Sequence, residues 1–204
     1  MIIKKARFLL SQSNFGSFPQ QGMQEIAMAG KSNVGKSSLI NSLTRHSKLA
    51  KTSSAPGKTR LINYYSINDD FMLVDLPGYG FAKAPKSEQE KWSQMIEGYL
   101  TGSENLKHVF HLVDIRHTPT KEDVMMIEYL RHYDIPFSVI ATKADKLSKA
   151  QRSRSIPVIC RTLVVQPWEI LCYSSEDLTG REALLEKIDG ILHPESEADT
   201  TEVE

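Results

Sequence analysis

From residue 24 onward, short apolar runs alternate with amphipathic stretches. EIAMA (Glu25 to Ala29) predicts a buried strand, and SSLINSLT (Ser37 to Thr44) predicts the start of a helix. LINYYSI and FMLVDL are separated by the turn cluster Asn68, Asp69 and Asp70, which predicts a hairpin. A helix rich in Lys, Glu and Gln (about 87–99) follows, then the strand HVFHLVDI and a helix over about 121–133. The strand FSVIAT, a basic helix (about 149–163), the strand EILCYS and a closing helix (about 180–192) complete the order. Strands alternating with helices imply an α/β fold: a mixed, mostly parallel sheet of six strands with helices on both faces. The hairpin is expected to supply its one antiparallel edge strand. Residues 1–22 read as an N-terminal extension, 23–193 as one folded domain and 194–204 as a tail, with no internal repeat.

Composition narrows the class without naming it. At 204 residues, with 40% hydrophobic and 25% charged side chains, the chain suits one soluble domain. No apolar run approaches the roughly 20 residues a membrane helix needs, and MIIKKARFLL is too short an apolar stretch for a signal peptide. A cytoplasmic monomer with neither a membrane nor a DNA partner is expected. Cys160 and Cys172 make no framework and read as reduced, buried thiols. His108 and His111 alternate within an apolar strand and read as packing residues rather than ligands.

The net charge of zero hides an asymmetry. The final PESEADTTEVE holds five acids and no base; without it, 25 basic side chains face 20 acidic ones. This tail is polar and aperiodic, so disorder is expected there. Bases crowd Arg45 to Lys51 and Lys143 to Arg154. These are either solvated helix faces or a surface that meets RNA or another polyanion through phosphate contacts, and the charge pattern leaves both open.

Candidate chemistry begins directly after the first predicted strand. GKSNVGKS (Gly30 to Ser37) fits G-x4-G-K-[ST] between a strand and a helix, the context that the motif demands. Glycines at 30 and 35 let backbone N–H groups converge on phosphate oxygens, and the helix N-terminus adds its positive end. Lys36 can reach between β- and γ-phosphates, and the Ser37 hydroxyl can complete a Mg²⁺ shell. A nucleoside triphosphate ligand follows. In VDLPGYG (Val74 to Gly80), Asp75 ends the third predicted strand beside this loop, where an acid can hold Mg²⁺ through a water. Gly78 offers an N–H to the γ-phosphate, and Tyr79 reads as an exposed aromatic on a loop that must move. After the fifth predicted strand, the carboxylate of TKAD (Thr142 to Asp145) can accept the N1–H and exocyclic amine of guanine. The stem of Lys143 can lie over the purine, and YSSE (Tyr173 to Glu176) can present N–H groups to the guanine carbonyl.

In this order, GKSNVGKSSLIN, PGKTR, DLPGYGFAK, TKAD and YSS resemble the EngB (YihA/YsxC) family of bacterial ribosome-biogenesis GTPases, within the TrmE-Era-EngA-EngB-Septin-like superfamily. The resemblance covers about residues 5–193. It implies a Ras-like P-loop NTPase fold, Mg²⁺-dependent binding of GTP and GDP, slow hydrolysis, and a role in assembling the large ribosomal subunit or its precursor, linked to cell division and septation. Carried over by position, Gly30, Lys31, Ser32, Asn33, Val34, Gly35, Lys36 and Ser37 would hold the phosphates. Gly57, Lys58, Thr59, Arg60 and Leu61 would form the first switch, with Thr59 joining Ser37 on Mg²⁺. Asp75, Leu76, Pro77 and Gly78 would form the second, Thr142, Lys143, Ala144 and Asp145 would read guanine, and Ser174 and Ser175 would close the base pocket.

Two departures matter. The common base motif begins with asparagine, and Thr142 is expected to tie the base loop to the phosphate loop less fully, giving modest nucleotide affinity. Signalling GTPases carry a water-orienting glutamine where this chain has Tyr79, so intrinsic hydrolysis is expected to be slow. Asn33 either only shapes the phosphate loop or helps to bind K⁺, as asparagine does there in related GTPases; with Lys36 and Thr59 it completes the candidate catalytic set. Two other readings stay open: a nucleotide-dependent interaction module of the division machinery with incidental hydrolysis, and an ATP-using P-loop enzyme in which Asp145 has no role.

Overall fold

A computed structural model describes residues 1–13, 22–51, 61–79 and 86–194, with the backbone alone at 86–89. Seven strands and five helices follow in the order β1 (Ala6–Gln12), β2 (Glu25–Gly30), α1 (Lys36–Thr44), β3 (Ile62–Ile67), β4 (Phe71–Asp75), α2 (Lys86–Gly102), β5 (Leu106–Asp114), α3 (Lys121–His132), β6 (Phe137–Thr142), α4 (Lys149–Leu163), β7 (Ile170–Cys172) and α5 (Arg181–Leu192). The sheet order is β1-β3-β4-β2-β5-β6-β7. Pairing is parallel from β4 through β7, and antiparallel at β1–β3 and β3–β4. Two apolar clusters, one on each face, bury the continuous runs of β2, β4, β5 and β6 under the helices.

The sheet therefore has seven strands where six were expected, and β3 is an interior strand where an edge was expected. The added edge is β1, within the stretch read as an extension. Its exposure is irregular, with Arg7, Phe8 and Ser11 facing water, so no clean period announced it. What fixes it is the hairpin turn. The Asn68 side-chain carbonyl accepts the N–H groups of Lys4 and Lys5 at 2.8 and 3.1 Å, and its amide donates to the Ile2 carbonyl at 2.8 Å. Phe8 then packs edge to face on Tyr65, 5.8 Å between ring centres.

Parallel pairing carries β2, β4, β5 and β6 to a common end of the sheet, so the loops after them gather there, beside the N-terminus of α1. Met28 of β2 is level with Asp75 of β4, and Asp114 of β5 with Thr142 of β6. The predicted thiols Cys160 and Cys172 are free but only half-buried. Among the described residues, no helix is long and apolar enough to cross a membrane. Residues 195–204 of the acidic tail lie outside the described residues.

The opposite end of β2 holds a buried carboxylate. Glu25 accepts from the hydroxyls of Tyr99 and Ser103 at 2.8 and 2.9 Å, while its other oxygen has no hydrogen-bond partner. Burial pushes its carboxyl above the ordinary range, and the two hydroxyls offset this only in part. A folded-state value above the unfolded one means this group favours folding at low pH and loses that contribution as pH rises through the folded value. Glu25→Gln should thus stabilise the protein at pH 7 by on the order of 1 kcal/mol. The gain should shrink toward pH 4.5, as urea midpoints across that range will report. A gain that is constant with pH would contradict the assignment.

Candidate nucleotide-binding site

The loop between β2 and α1 is built for an anion. α1 starts at Lys36 with Gly35 as its N-cap, no capping side chain and no acid in its first turn, which leaves its leading N–H groups for a ligand. Gly35 has φ +112°, a conformation that side chains with a Cβ resist. Gly30 is required for space: a Cβ there would lie 2.8 Å from the Leu112 carbonyl oxygen of β5. Asn33 is exposed and left-handed at φ 62°, and its carbonyl accepts from Lys143 Nζ at 3.0 Å. Val34 turns inward into the core.

Asp75 sits at the end of β4, facing this loop. Its carboxylate is almost wholly buried, and Oδ1 has no hydrogen-bond partner, although Lys36 Nζ lies 3.7 Å away. Burial raises the carboxyl above its ordinary range, and the Lys36 ammonium offsets this in part. Leu76, Pro77 and Gly78 follow, all buried. A Cβ on Gly78 would lie 2.9 Å from Ser32 N, so the absence of a side chain lets this turn close onto the phosphate loop. Ser32 N–H donates to the Tyr79 carbonyl at 2.9 Å, and Tyr79 and Lys31 form an isolated parallel bridge.

Tyr79 itself corrects the sequence reading. It is 5% exposed, and its hydroxyl donates to Asp123 Oδ1, with His111 Nε2 at 3.3 Å. Up to Tyr79 the turn is thus bound on all sides rather than loose. His111 is also more than packing, whereas His108 behaves as expected, buried with Nε2 2.9 Å from the Ser138 hydroxyl. Burial holds His108 down at about 4.

The base-reading loops meet across β6 and β7. Thr142 Oγ1 lies 2.7 Å from the Val34 carbonyl and 3.0 Å from the Val113 carbonyl. A single hydroxyl therefore does tie the base loop to the phosphate loop. Lys143, left-handed at φ 61°, spans from Asn33 to Asp114, with Nζ 2.9 Å from Asp114 Oδ2. Ala144 is buried, and its N–H donates to the Tyr173 carbonyl at 3.0 Å. Asp145 Oδ1 accepts from the buried Ser174 hydroxyl at 2.9 Å, and Oδ2 pairs with Lys146 at 2.9 Å. The hydrogen bond from Lys146, and then that from Ser174, hold the Asp145 carboxyl below its ordinary range, so it stays an acceptor at neutral pH. Ser174 Oγ also takes the N–H groups of Glu176 and Asp177 at 3.1 and 3.3 Å, which shapes the turn that carries half-buried Ser175.

Sequence reasoning missed Asp114. Burial works to raise its carboxyl, yet hydrogen bonds from Arg116 and Lys143 hold it far below the usual range. The signal was an acid ending an apolar strand in VDIRH, the same placement that marked Asp75. Gly57, Lys58, Thr59 and Arg60 lie outside the described residues, and Leu61 is exposed at their border.

Among the described residues, no three or more His, Cys, Asp or Glu side chains gather to hold a metal. Mg²⁺ fits differently here: the orphaned Asp75 oxygen and the Ser37 hydroxyl are hard oxygen donors suited to an ion that also takes phosphate and water.

Because the Thr142 hydroxyl is the donor to the Val34 carbonyl, Thr142→Val leaves that buried oxygen unpaired at nearly constant shape. We expect a loss of about 1–3 kcal/mol in urea denaturation. A variant as stable as the parent would show that the tie between the loops carries no load.

Comparison with known proteins agrees with this geometry. The profile of a family described as "50S ribosome-binding GTPase" matches residues 25–143. "Probable GTP-binding protein EngB" of Clostridium acetobutylicum is 50% identical over 198 residues, covering 96% of this chain and 99% of the relative. The protein of the same name from Bacillus subtilis is 49% identical over 183 residues, covering 89% and 94%. The crystal structure of a probable GTP-binding protein engB superposes with a TM-score of 0.70 at 27% identity, covering 83% of this chain and 98% of that one. A structure of Era in complex with MgGDPNP and nucleotides 1506–1542 of 16S ribosomal RNA shares the fold at a TM-score of 0.62 and 23% identity, covering 81% and 55%. The chain belongs to the EngB family of GTP-binding proteins and is a GTPase with the Ras-like P-loop fold.

Proposed function

We propose that this GTPase is a Mg²⁺-dependent switch that engages the large ribosomal subunit or its precursor in the bacterial cytoplasm while loaded with GTP, and leaves after hydrolysis. The observation that carries the guanine part is the joined base site. Asp145 is held by Ser174 as a charged acceptor, and Thr142 sets that loop in register with the phosphate loop. The ribosomal part is supported by the matched family's description and by the net basic body. The link to cell division and septation comes from the family resemblance.

In this reading Gly30 to Ser37 cradle the phosphates, and Lys36 leaves its place beside Asp75 to meet the β- and γ-phosphates. Ser37 and Thr59 would hold Mg²⁺, with Asp75 assisting through a water; bound there, the ion would supply charge neutralisation at the transferred phosphoryl group. The N–H of Gly78 responds to the γ-phosphate, Leu76 and Pro77 set its position, and Gly57 to Leu61 close the other side. Lys143 covers the purine while Asp114 and the Asn33 carbonyl hold its ammonium. Ser175 presents its N–H toward the base. The Tyr79 hydroxyl faces Asp123 and His111, so this residue orients no attacking water and intrinsic turnover is slow. Asn33 would help to hold a K⁺ ion whose charge offsets that developing in transfer, so turnover is expected to be faster in K⁺ than in Na⁺ buffer.

Asp145→Ala should weaken both GDP and GTP by about 100-fold, since the base loses a charged hydrogen-bond partner. ATP should compete for neither. If ATP displaces bound GDP as well as GTP does, the guanine assignment fails. The protein should co-sediment with 50S particles in a non-hydrolysable GTP analogue and not in GDP. Equal sedimentation in both would remove the switch and leave a nucleotide-indifferent binder.

A further inference from the structure

The residue after Gly78 is held by groups that the reaction does not otherwise use. Tyr79 stacks on His111 with ring centres 6.1 Å apart and planes at 10°, and meets Trp92 edge to face at 6.1 Å. A phenylalanine would make these ring contacts equally well. The hydroxyl is what needs explaining, because a buried hydroxyl is costly unless it is paired.

Its pairing is specific. The hydroxyl carries one proton and gives it to Asp123 Oδ1. Burial first, and then the Asp123 carboxylate, push the Tyr79 hydroxyl far above its ordinary range, so the proton stays on the phenol. Burial works to raise the Asp123 carboxyl, but hydrogen bonds from His111, Tyr79 and the Thr120 backbone bring it to about 2, so it stays an acceptor. The phenol oxygen can still accept. His111 Nε2 lies 3.3 Å from it and 3.4 Å from Asp123 Oδ1, so an Nε2–H serves both oxygens. That tautomer leaves Nδ1 as a bare acceptor, in keeping with its burial without a partner. The other oxygen of Asp123 takes the N–H and hydroxyl of Thr120 at 2.7 and 2.9 Å, so the carboxylate that grips Tyr79 also caps α3.

The backbone around Gly78 is held as closely. Leu76 N–H donates to the Met28 carbonyl at 3.0 Å, and the Trp92 indole donates to the Pro77 carbonyl at 3.2 Å. The Tyr79 carbonyl takes the Ser32 N–H at 2.9 Å. Gly78 is thus clamped between two neighbours that are each fixed from outside the loop. An N–H that is to sense a phosphate is effective only when it is already aimed, because the cost of ordering it is then not drawn from binding.

We propose that His111 and Asp123 are positioning residues which, by gripping the Tyr79 hydroxyl, hold Gly78 against the phosphate loop and so set how strongly GTP is bound relative to GDP. The proposal rests on the guanine-nucleotide reading above. Neither residue touches nucleotide; each acts through Tyr79. The clamp also accounts for a tyrosine at this place, since its oxygen is the handle that α3 holds.

The test compares Tyr79→Phe, Asp123→Asn, His111→Gln and Thr120→Ala by titration calorimetry with GDP and with a non-hydrolysable GTP analogue, both in Mg²⁺, alongside melting temperature. Tyr79→Phe deletes one oxygen and keeps the ring, so it remains informative if Asp123→Asn folds poorly. In Tyr79→Phe, Asp123→Asn and His111→Gln, affinity for the analogue should fall by about tenfold while affinity for GDP stays within about twofold of the parent. Thr120→Ala loosens the α3 cap but keeps the Tyr79–Asp123 bond, so it should lower the melting temperature and leave the ratio of the two affinities unchanged. An unchanged ratio in Tyr79→Phe and Asp123→Asn, with both nucleotides still bound, overturns the clamp. A parent protein that binds neither nucleotide would overturn the guanine reading itself, and the proposal with it.

Discussion

Three stretches of backbone from distant parts of the chain meet at the phosphate loop, and the contact depends on there being no Cβ at residues 30 and 78. A Cβ on Gly30 would stand 2.8 Å from the Leu112 carbonyl, and one on Gly78 2.9 Å from Ser32 N. Real side chains do not tolerate such distances, so a Cβ on Gly30 would force β2 from β5, and one on Gly78 would force the turn after β4 off the phosphate loop. The close approach of β2 to its neighbours β4 and β5 is what brings Lys36 within 3.7 Å of Asp75 and lets Ser32 bond Tyr79. Gly35 is needed for another reason, its backbone angle, which starts α1 without a capping side chain.

The second half of the site is attached through two side chains. The Thr142 hydroxyl joins the end of β6 to the Val34 carbonyl, and the Lys143 ammonium joins Asn33 to Asp114. The first bond is buried, so losing it would strand a polar atom. The second is partly exposed and more readily screened. The loops that read a base and the loop that holds phosphates are thereby one unit, with strength concentrated in the hydroxyl. An asparagine is not required for that tie.

Much of this was legible in the sequence because the signals are local. Continuous apolar runs marked β2, β4, β5 and β6, turn residues marked the hairpin, and the motif spacing put Lys36 at the start of α1, Asp75 at the end of β4 and Asp145 just after β6. What escaped was set by tertiary contact. β1 has no clean period, and it is a strand because it pairs with β3, after Asn68, some sixty residues on, has gathered the N–H groups of Lys4 and Lys5 just before it. Tyr79 looked exposed because it follows Pro-Gly in a turn; its partners, His111 of β5 and Asp123 of α3, lie 32 and 44 residues away and meet it only through the tertiary fold. Asp114 looked like any strand-end acid until Lys143 and Arg116 closed on it.

These placements divide the chemistry in a definite way. Up to Tyr79, the turn after β4 is built from backbone donors and acceptors already committed to neighbours, so it can present an N–H but has no side chain to spare for activating water. A catalyst that relies on aimed backbone dipoles and a lysine stabilises charge on the transferred group well. It does nothing for the attacking water, whose deprotonation needs a positioned base. On the proposed reading, the missing contribution must come from residues beyond Tyr79 or from the particle the protein engages. A GTPase so arranged holds its nucleotide state until it meets its partner, which is the behaviour an assembly switch requires.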